Sequence, residues 1–190
     1  MAYGYLALFV LASTLIWCGF IALYDWLFGW TQWVPGVNLV YLPHGLRMIL
    51  VILFAESGAV GICLGTALMG FDLLRANPAL GLSHSFVAGA SVWLAARLLI
   101  KRSDLAGETP QTGSDLAAID GRTLIALAFA SSALNASGHV LAWLLFESEA
   151  KQLEVRFATM FTGDLLGAVI LLYALRTLII VFEKNHRPRP

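Results

Sequence analysis

Charged side chains are scarce in this sequence. Asp, Glu, Lys and Arg make up only 13% of its 190 residues, whereas apolar residues make up 59% and the mean hydropathy is +0.78. Soluble domains contain about 25% charged residues. The apolar residues also arrive in runs of about twenty, the length that a helix needs to cross a bilayer. The scarcity of charge therefore excludes a soluble globular domain and predicts an integral membrane protein in contact with the lipid bilayer.

Other absences exclude further classes of protein. The formal net charge is zero and no basic face is available to neutralise phosphates, so we expect no nucleic-acid partner. The sequence contains no G-x-S-x-G, H-E-x-x-H or C-x-x-C motif and no phosphate-binding glycine loop. We therefore expect neither an enzyme nor a metal site, and no cofactor is indicated. The two cysteines, Cys18 and Cys63, lie in apolar segments and are expected to be buried thiols.

Basic residues are absent from the N-terminal region, where no Lys or Arg precedes Arg47. A cleaved signal peptide begins with a cationic region, so residues 5–28 are expected to remain as a first membrane helix. The stretch TQWVPGVNLVYLPHG follows. It is too short and too rich in Pro and Gly to span as a helix, which predicts an irregular or partly re-entrant loop buried in protein or wetted.

The remaining apolar runs complete an all-α bundle of about six transmembrane helices in a single domain, residues 1–190. We expect further spans within residues 46–74, 80–100, 123–146 and 158–182. Residues 46–74 are interrupted by Glu56, Ser57 and Gly58. We favour two shorter helices broken there, which gives six spans and a cytoplasmic N-terminus. One long tilted helix would instead give five spans and an external N-terminus.

The basic residues predict the orientation, because short cytoplasmic loops carry an excess of Lys and Arg. Most of them flank the polar loop 101–122 or lie in the tail 183–190: Arg97, Lys101, Arg102, Arg122, Lys184, Arg187 and Arg189. We expect this loop and tail to be cytoplasmic, in the inner membrane of a bacterium.

Ionisable groups at bilayer depth cost a few kcal/mol at least, which makes each one a candidate for function. His44 and Arg47 lie about one helical turn apart in PHGLR, and they suit an anionic ligand or a lipid headgroup. The alternative is that Arg47 snorkels to the interface. Glu56 lies at the membrane surface if the chain breaks beside it. If the chain does not break, Glu56 lies mid-membrane and needs a partner such as Arg47.

Two further candidates lie in the C-terminal half. Ser131, Asn135 and His139 are spaced by four residues, which places them on one face of a helix. This stripe predicts either a polar pocket or proton relay, or hydrogen bonds between helices. Asp164 lies between Gly163 and Gly167, whose spacing permits close helix approach. It needs a partner, for which His139, His84 or Arg47 are available.

Two stretches carry a family resemblance. VNLVYLPHGLRMILVILFAESGAVGICLGTALMG and MFTGDLLGAVILLYALRTLI resemble the first half and the last helix of the membrane-associated sensor domains (MASE type) of bacterial sensor kinases and diguanylate cyclases. The positions that match this pattern are Pro43, Gly45, Gly61, Gly65, Gly163, Asp164 and Gly167. Tyr41, Leu42 and His44 depart from it, since the family tends to show Trp-Pro-Pro around this proline.

The resemblance implies a sensor-like or ligand-binding membrane module. No kinase or cyclase sequence follows the last span, so we expect it to act through a partner membrane protein. The expected site for a small-molecule ligand consists of His44, Arg47, Glu56, Asn135, His139 and Asp164. Two alternatives stay open. One is a transport component that binds a solute or relays protons, by analogy with the substrate-binding subunits of energy-coupling-factor transporters. The other is an accessory subunit of a larger membrane complex.

Overall fold

The protein is an all-α helical bundle. The computed structural model describes residues 2–34, 37–100, 119–147 and 151–186. The helices within these residues are α1 (Ala2–Phe28), α2 (Pro43–Met69), α3 (Phe71–Ala76), α4 (Pro78–Leu99), α5 (Gly121–Phe146) and α6 (Leu153–His186). The fold class is thus the predicted one. The polar loop and the end of the tail, on which the predicted orientation rests, lie largely outside the described residues.

A short irregular connection joins α1 to α2. A 3-10 turn (Gly29–Thr31) leads into two short antiparallel strands, β1 (Gln32–Val34) and β2 (Val37–Asn38). Residues 38–42, which we call the inward loop, then turn back into the bundle, where the Tyr41 amide donates to the carbonyl of Gly163 at 2.8 Å. The inward loop, which is part of the predicted irregular segment, thus packs against protein, as membrane depth requires of non-helical backbone.

Five of the described helices are long and apolar enough to cross a membrane: α1, α2, α4, α5 and α6. Their outward faces carry large apolar side chains, which suits contact with lipid rather than water. Pro78 and Pro43 start α4 and α2 at positions where the missing amide hydrogen is not needed. Asp120 caps α5 by accepting from the Thr123 amide, and hydrogen bonds from the Thr123 side chain and this amide lower the pKa of Asp120.

Helix α2 is not straight, because it is interrupted at Ala55, whose φ of 47° and ψ of −124° are non-helical. Three contacts show that the chain reverses there. The carbonyl of Leu50 lies against Gly58, and Trp17 touches both Arg47 and Gly65. In a straight helix Arg47 and Gly65 would be about 27 Å apart. The predicted break into two helices is confirmed, one residue before the expected Glu56.

The reversal divides α2 into a first leg, residues 43–54, and a second leg, residues 56–69. At 1.5 Å per residue each leg is about 20 Å long, which is less than the hydrocarbon thickness of about 30 Å. The second leg runs in the same direction as α1, since Thr14 bonds to the Gly61 carbonyl and Trp17 to Thr66. One apolar stretch that is long enough to span thus folds as a helical hairpin inside the bundle.

The other helices alternate in direction. The second leg is antiparallel to α4, where Cys63 contacts the Phe86 carbonyl, and α4 is antiparallel to α5, where Asn77 donates to the Phe146 carbonyl. Helices α5 and α6 are antiparallel as well, with Arg156 paired to Glu147. The start of α1, the reversal and the end of α6 therefore share one end of the bundle, which we call the Glu56 end. The opposite end, where α5 leads into α6, is the Gln152 end.

Small residues let these helices approach closely. Gly61 and Gly65 lie directly against α1, where an added Cβ would be 2.8 Å from the Val10 carbonyl oxygen and 2.5 Å from the Trp17 ring. The G-x-x-x-G spacing of this pair thus serves close packing of the second leg on α1. Both cysteines are free and partly buried: Cys18 contacts the Gly65 carbonyl, and Cys63 contacts the Phe86 carbonyl.

Candidate functional site

Five polar side chains meet in the interior of the bundle: His44, Arg47, Ser131, Asn135 and Asp164. We call this cluster the polar centre. None of them is more than 4% exposed. His44 bridges two helices, since its Nε2 lies 2.9 Å from the Ser131 hydroxyl and its Nδ1 lies 3.5 Å from an oxygen of Asp164. The first leg of α2 thus brings an imidazole between α5 and α6.

Asn135 links the two charged members of the polar centre. Its carbonyl oxygen accepts from Arg47 Nη1 at 3.1 Å, and its amide nitrogen donates to Asp164 at 2.7 Å. An amide can do both at once because it carries a donor and an acceptor. Arg47 and Asp164 are therefore connected through one amide, and Arg47 Nε has no hydrogen-bond partner among the described residues.

Two aromatic rings enclose the Arg47 guanidinium. Its central carbon lies 5.0 Å from the ring centroid of Trp17 and 5.3 Å from that of Tyr41. Cation–π contacts of this kind are worth about 2 kcal/mol when they are desolvated. Arg47 is only 4% exposed, so the alternative in which it snorkels to the interface is wrong.

Glycines on α6 make room for the inward loop. The carbonyl oxygen of Asn38 lies where a Cβ on Gly163 would be, and that of Tyr41 lies where a Cβ on Gly167 would be. A side chain at either position would push the loop away from α6. The predicted close approach is present, but its partner is the irregular backbone before α2 and not a second helix.

The first leg of α2 begins at this depth, next to Asp164. Pro43 is the first residue of that leg, and the amide of Gly45 donates back to the Leu42 carbonyl. The N-terminal end of a helix carries a partial positive charge that favours a nearby anion. Arg47 and this helix end therefore supply positive charge around a single carboxylate.

His139 lies one helical turn from Asn135 and contacts a different group of residues. Its ring centroid is 4.4 Å from that of His84 on α4 and 5.9 Å from that of Trp143. His139 is 8% exposed, and neither His139 Nδ1 nor His84 Nε2 has a hydrogen-bond partner among the described residues. The stripe predicted on α5 is therefore buried as expected, but its members face two neighbouring groups.

Glu56 does not join the polar centre. It lies just after the reversal and forms an ion pair with Arg97 at 3.0 Å, with 56% of its side chain exposed. The chain breaks beside Glu56, which is the arrangement for which we expected a surface position, and its partner is Arg97 and not Arg47. No group of three or more His, Cys, Asp or Glu side chains is arranged to hold a metal ion within the described ranges.

Sequence reasoning named His44, Arg47, Asn135 and Asp164, and the structure brings them to one site. Of the partners offered for Asp164, Arg47 is linked to it through Asn135, whereas His139 and His84 lie in a neighbouring group. The direct contacts of Asp164 are Asn135 and His44. The roles of Trp17 and Tyr41 were missed. Trp17 did carry a signal, since it lies mid-span in α1 and not among the aromatic residues at its end.

Fold and site together define a multi-pass membrane protein with an interrupted helix and a buried charged centre. No family model, curated protein or solved structure matches the chain.

Proposed function

We propose that the protein is a sensor-like, ligand-binding membrane module whose polar centre reports its state to a partner membrane protein. The observation that carries this proposal is the position of Arg47 and His44, held inside the bundle by a half-length helix. Burying such groups costs free energy that a packed apolar core would not. Ionisable groups inside a membrane domain are candidates for function for this reason.

The glycines of α6 provide a route from the centre to a partner. Helix α6 carries Asp164 and also Gly163 and Gly167, against which the inward loop packs. It then continues to the Glu56 end, where we place the cytoplasm. A ligand that changes the contact between Asp164 and Asn135 would shift the loop and α6 together, because closely packed elements cannot move independently. We propose no catalytic step.

Photo-crosslinking on α6 tests this proposal. Tyr173 and Leu178 are 72% and 66% exposed and lie between the centre and the tail. A photoreactive phenylalanine at either position is expected to give one discrete cross-linked protein in native membranes. The matched control is Leu82, which is 59% exposed on α4. Absence of a product from α6, or an equal yield from Leu82, would contradict a partner at α6.

A transport component is the second candidate. It is favoured because the first leg of α2 begins inside the bundle, next to Asp164. Interrupted helices with charged groups at their inner ends form the substrate sites of many transporters. The test is the decay of a pH gradient across proteoliposomes. Faster decay with the wild type than with Asp164→Asn would favour transport, whereas equal decay would remove Asp164 from any proton transport.

A further inference from the structure

A line of polar side chains leads from the polar centre to the Gln152 end. Asn135, His139 and Trp143 follow one another at intervals of four residues along α5, and Glu147 caps its C-terminal end four residues later. His84 joins this line from α4, with its ring against both His139 and Trp143.

Three buried polar atoms along this line have no hydrogen-bond partner among the described residues: His84 Nε2, His139 Nδ1 and Ser132 Oγ. Ser132 and His139 are seven residues apart and therefore share a face of α5. Buried polar atoms without partners cost about 1–3 kcal/mol each. Water between these side chains would satisfy them, since a buried water needs two to four polar partners.

Among the described residues, the line reaches the surface at the Gln152 end. There Glu147 and Arg156 form a partly exposed ion pair at 3.0 Å, and Arg156 lies over the Trp143 ring at 4.8 Å. Toward the Glu56 end the described interior contains Ile52, Val92 and Leu127, each 0% exposed, and the buried hydroxyls of Ser13, Ser57 and Ser91, but no buried ionisable side chain. Within the described residues, ionisable side chains therefore lead to the polar centre from one side.

We propose that this line is a proton pathway that connects Asp164 with the membrane face at the Gln152 end. The inference rests on the proposed function and names the ligand of that site as the proton. With the loop 101–122 and the tail in the cytoplasm, the pathway opens to the outside. The module then reports the proton concentration outside the cell.

The proton moves without any other reactant. It enters at the Gln152 end and binds one ring nitrogen of His84 while the other releases a proton to His139. His139 passes a proton through bridging water to Asp164, whose carboxylate becomes the neutral acid. Each histidine returns to its neutral form, as a proton relay requires. Protonation of Asp164 weakens its charge-assisted hydrogen bond from Asn135.

Several charged or titratable groups are packed around the pathway from every neighbouring element. They are Tyr41 on the inward loop, His44 and Arg47 on the first leg, His84 on α4, Glu147 just after α5 and Arg156 on α6. Arg47 is the fixed positive charge nearest to Asp164 in this network, through Asn135. Arg47 and His44 therefore set the response of Asp164 to pH, whereas His84 and His139 set only its rate.

The test is infrared spectroscopy of the purified full-length chain in liposomes. Asp164→Asn identifies the carboxyl band, and the rate at which this band responds to a pH jump or to transfer into D₂O is measured. We expect His139→Phe and His84→Phe to slow the response at least tenfold while the band itself remains. His186→Phe, at the end of α6, is the matched control and should respond like the wild type.

Unchanged rates in both pathway variants would overturn the pathway. If either variant fails to fold, the proposal is tested on the wild type alone, by comparing pH jumps on the two sides of the membrane. In liposomes of known orientation, the band must respond faster to a pH jump on the Gln152 side than on the Glu56 side, and equal responses would overturn the proposal. A band that does not respond to pH overturns the proton as ligand. Cross-linking on α6 tests the sensor function separately, so either failure can be recognised.

Discussion

At the scale of single residues, Arg47 determines most of the polar centre. A guanidinium is charged at any physiological pH, so once buried it must keep its partners. Asn135 and the rings of Trp17 and Tyr41 meet this need from three different parts of the chain. The centre is consequently formed only when α1, α2 and α5 have all packed.

The coupling between Arg47 and Asp164 can be measured in a double-mutant cycle. Arg47→Met and Asp164→Asn each leave one buried group without its counterpart. Each is therefore expected to lower the free energy of unfolding by about 3–5 kcal/mol, and the double variant should lose less than the sum. Unfolding in mixed micelles gives these values. Arg97→Met, which breaks the exposed pair with Glu56, is the control and should cost about 1 kcal/mol or less. Additive losses would show that Asn135 does not couple the two residues.

The members of the centre were predictable as single residues, and their pairing was not. The cost of burying ionisable groups selected His44, Arg47 and Asp164, and the spacing of four on α5 selected Asn135. Which of them touch depends on how α2 crosses α5 and α6. A reversal at Ala55 sets this crossing, and no local spacing encodes it.

At the scale of elements, the reversal of α2 depends on Ala55, which adopts an unfavourable backbone conformation. Ala55 has φ of 47°, a region in which a side chain clashes with its own backbone and glycine does not. Ala55→Gly is therefore expected to raise the free energy of unfolding by about 1 kcal/mol, and Ala55→Val to lower it. The measurement is thermal unfolding of the two variants in detergent. A loss of stability in Ala55→Gly would contradict a strained turn at this position.

A second prediction at this scale concerns the packing of the inward loop against α6. Gly167→Ala places a methyl group on the Tyr41 carbonyl and should lower the free energy of unfolding by more than about 1 kcal/mol. Gly19→Ala is the matched control, because nothing lies within 4 Å of that position on α1. It should be neutral or stabilising by about 0.5–1 kcal/mol, since alanine is the better helix former. Equal stabilities of the two variants would show that the loop does not rest on Gly167.

Element boundaries followed from the sequence where Pro, Gly and polar residues interrupt apolar runs. The interruption at Glu56 was predicted for this reason, as was the irregular stretch before α2. The pairing of Gly163 and Gly167 with backbone instead of a helix was not predictable. A G-x-x-x-G spacing indicates a close approach but not the identity of the approaching segment.

At the scale of the whole molecule, the reversal decides how the chain is placed in the membrane. Five helices satisfy the length and composition of a span, and five straight crossings would put the two termini on opposite faces. Because α2 folds back on itself, the start of α1 and the end of α6 lie at the same end of the bundle. We therefore expect both termini on the cytoplasmic side, together with the loop 101–122.

Labelling of single cysteines distinguishes the two arrangements. In a background with Cys18 and Cys63 replaced by alanine, Glu56→Cys should react with an impermeant maleimide only from the cytoplasmic face, and Gln152→Cys only from the opposite face.

A straight α2 would instead bury residue 56 near the bilayer centre, since it is the middle of Pro43–Met69. Glu56→Cys would then resist labelling from both faces. Leu64→Cys, on the second leg facing lipid, is the matched control and should stay unlabelled in either arrangement. Labelling of Glu56→Cys and Gln152→Cys from the same face would contradict the alternating directions of α4, α5 and α6, and with them the proposed one-sided access to Asp164.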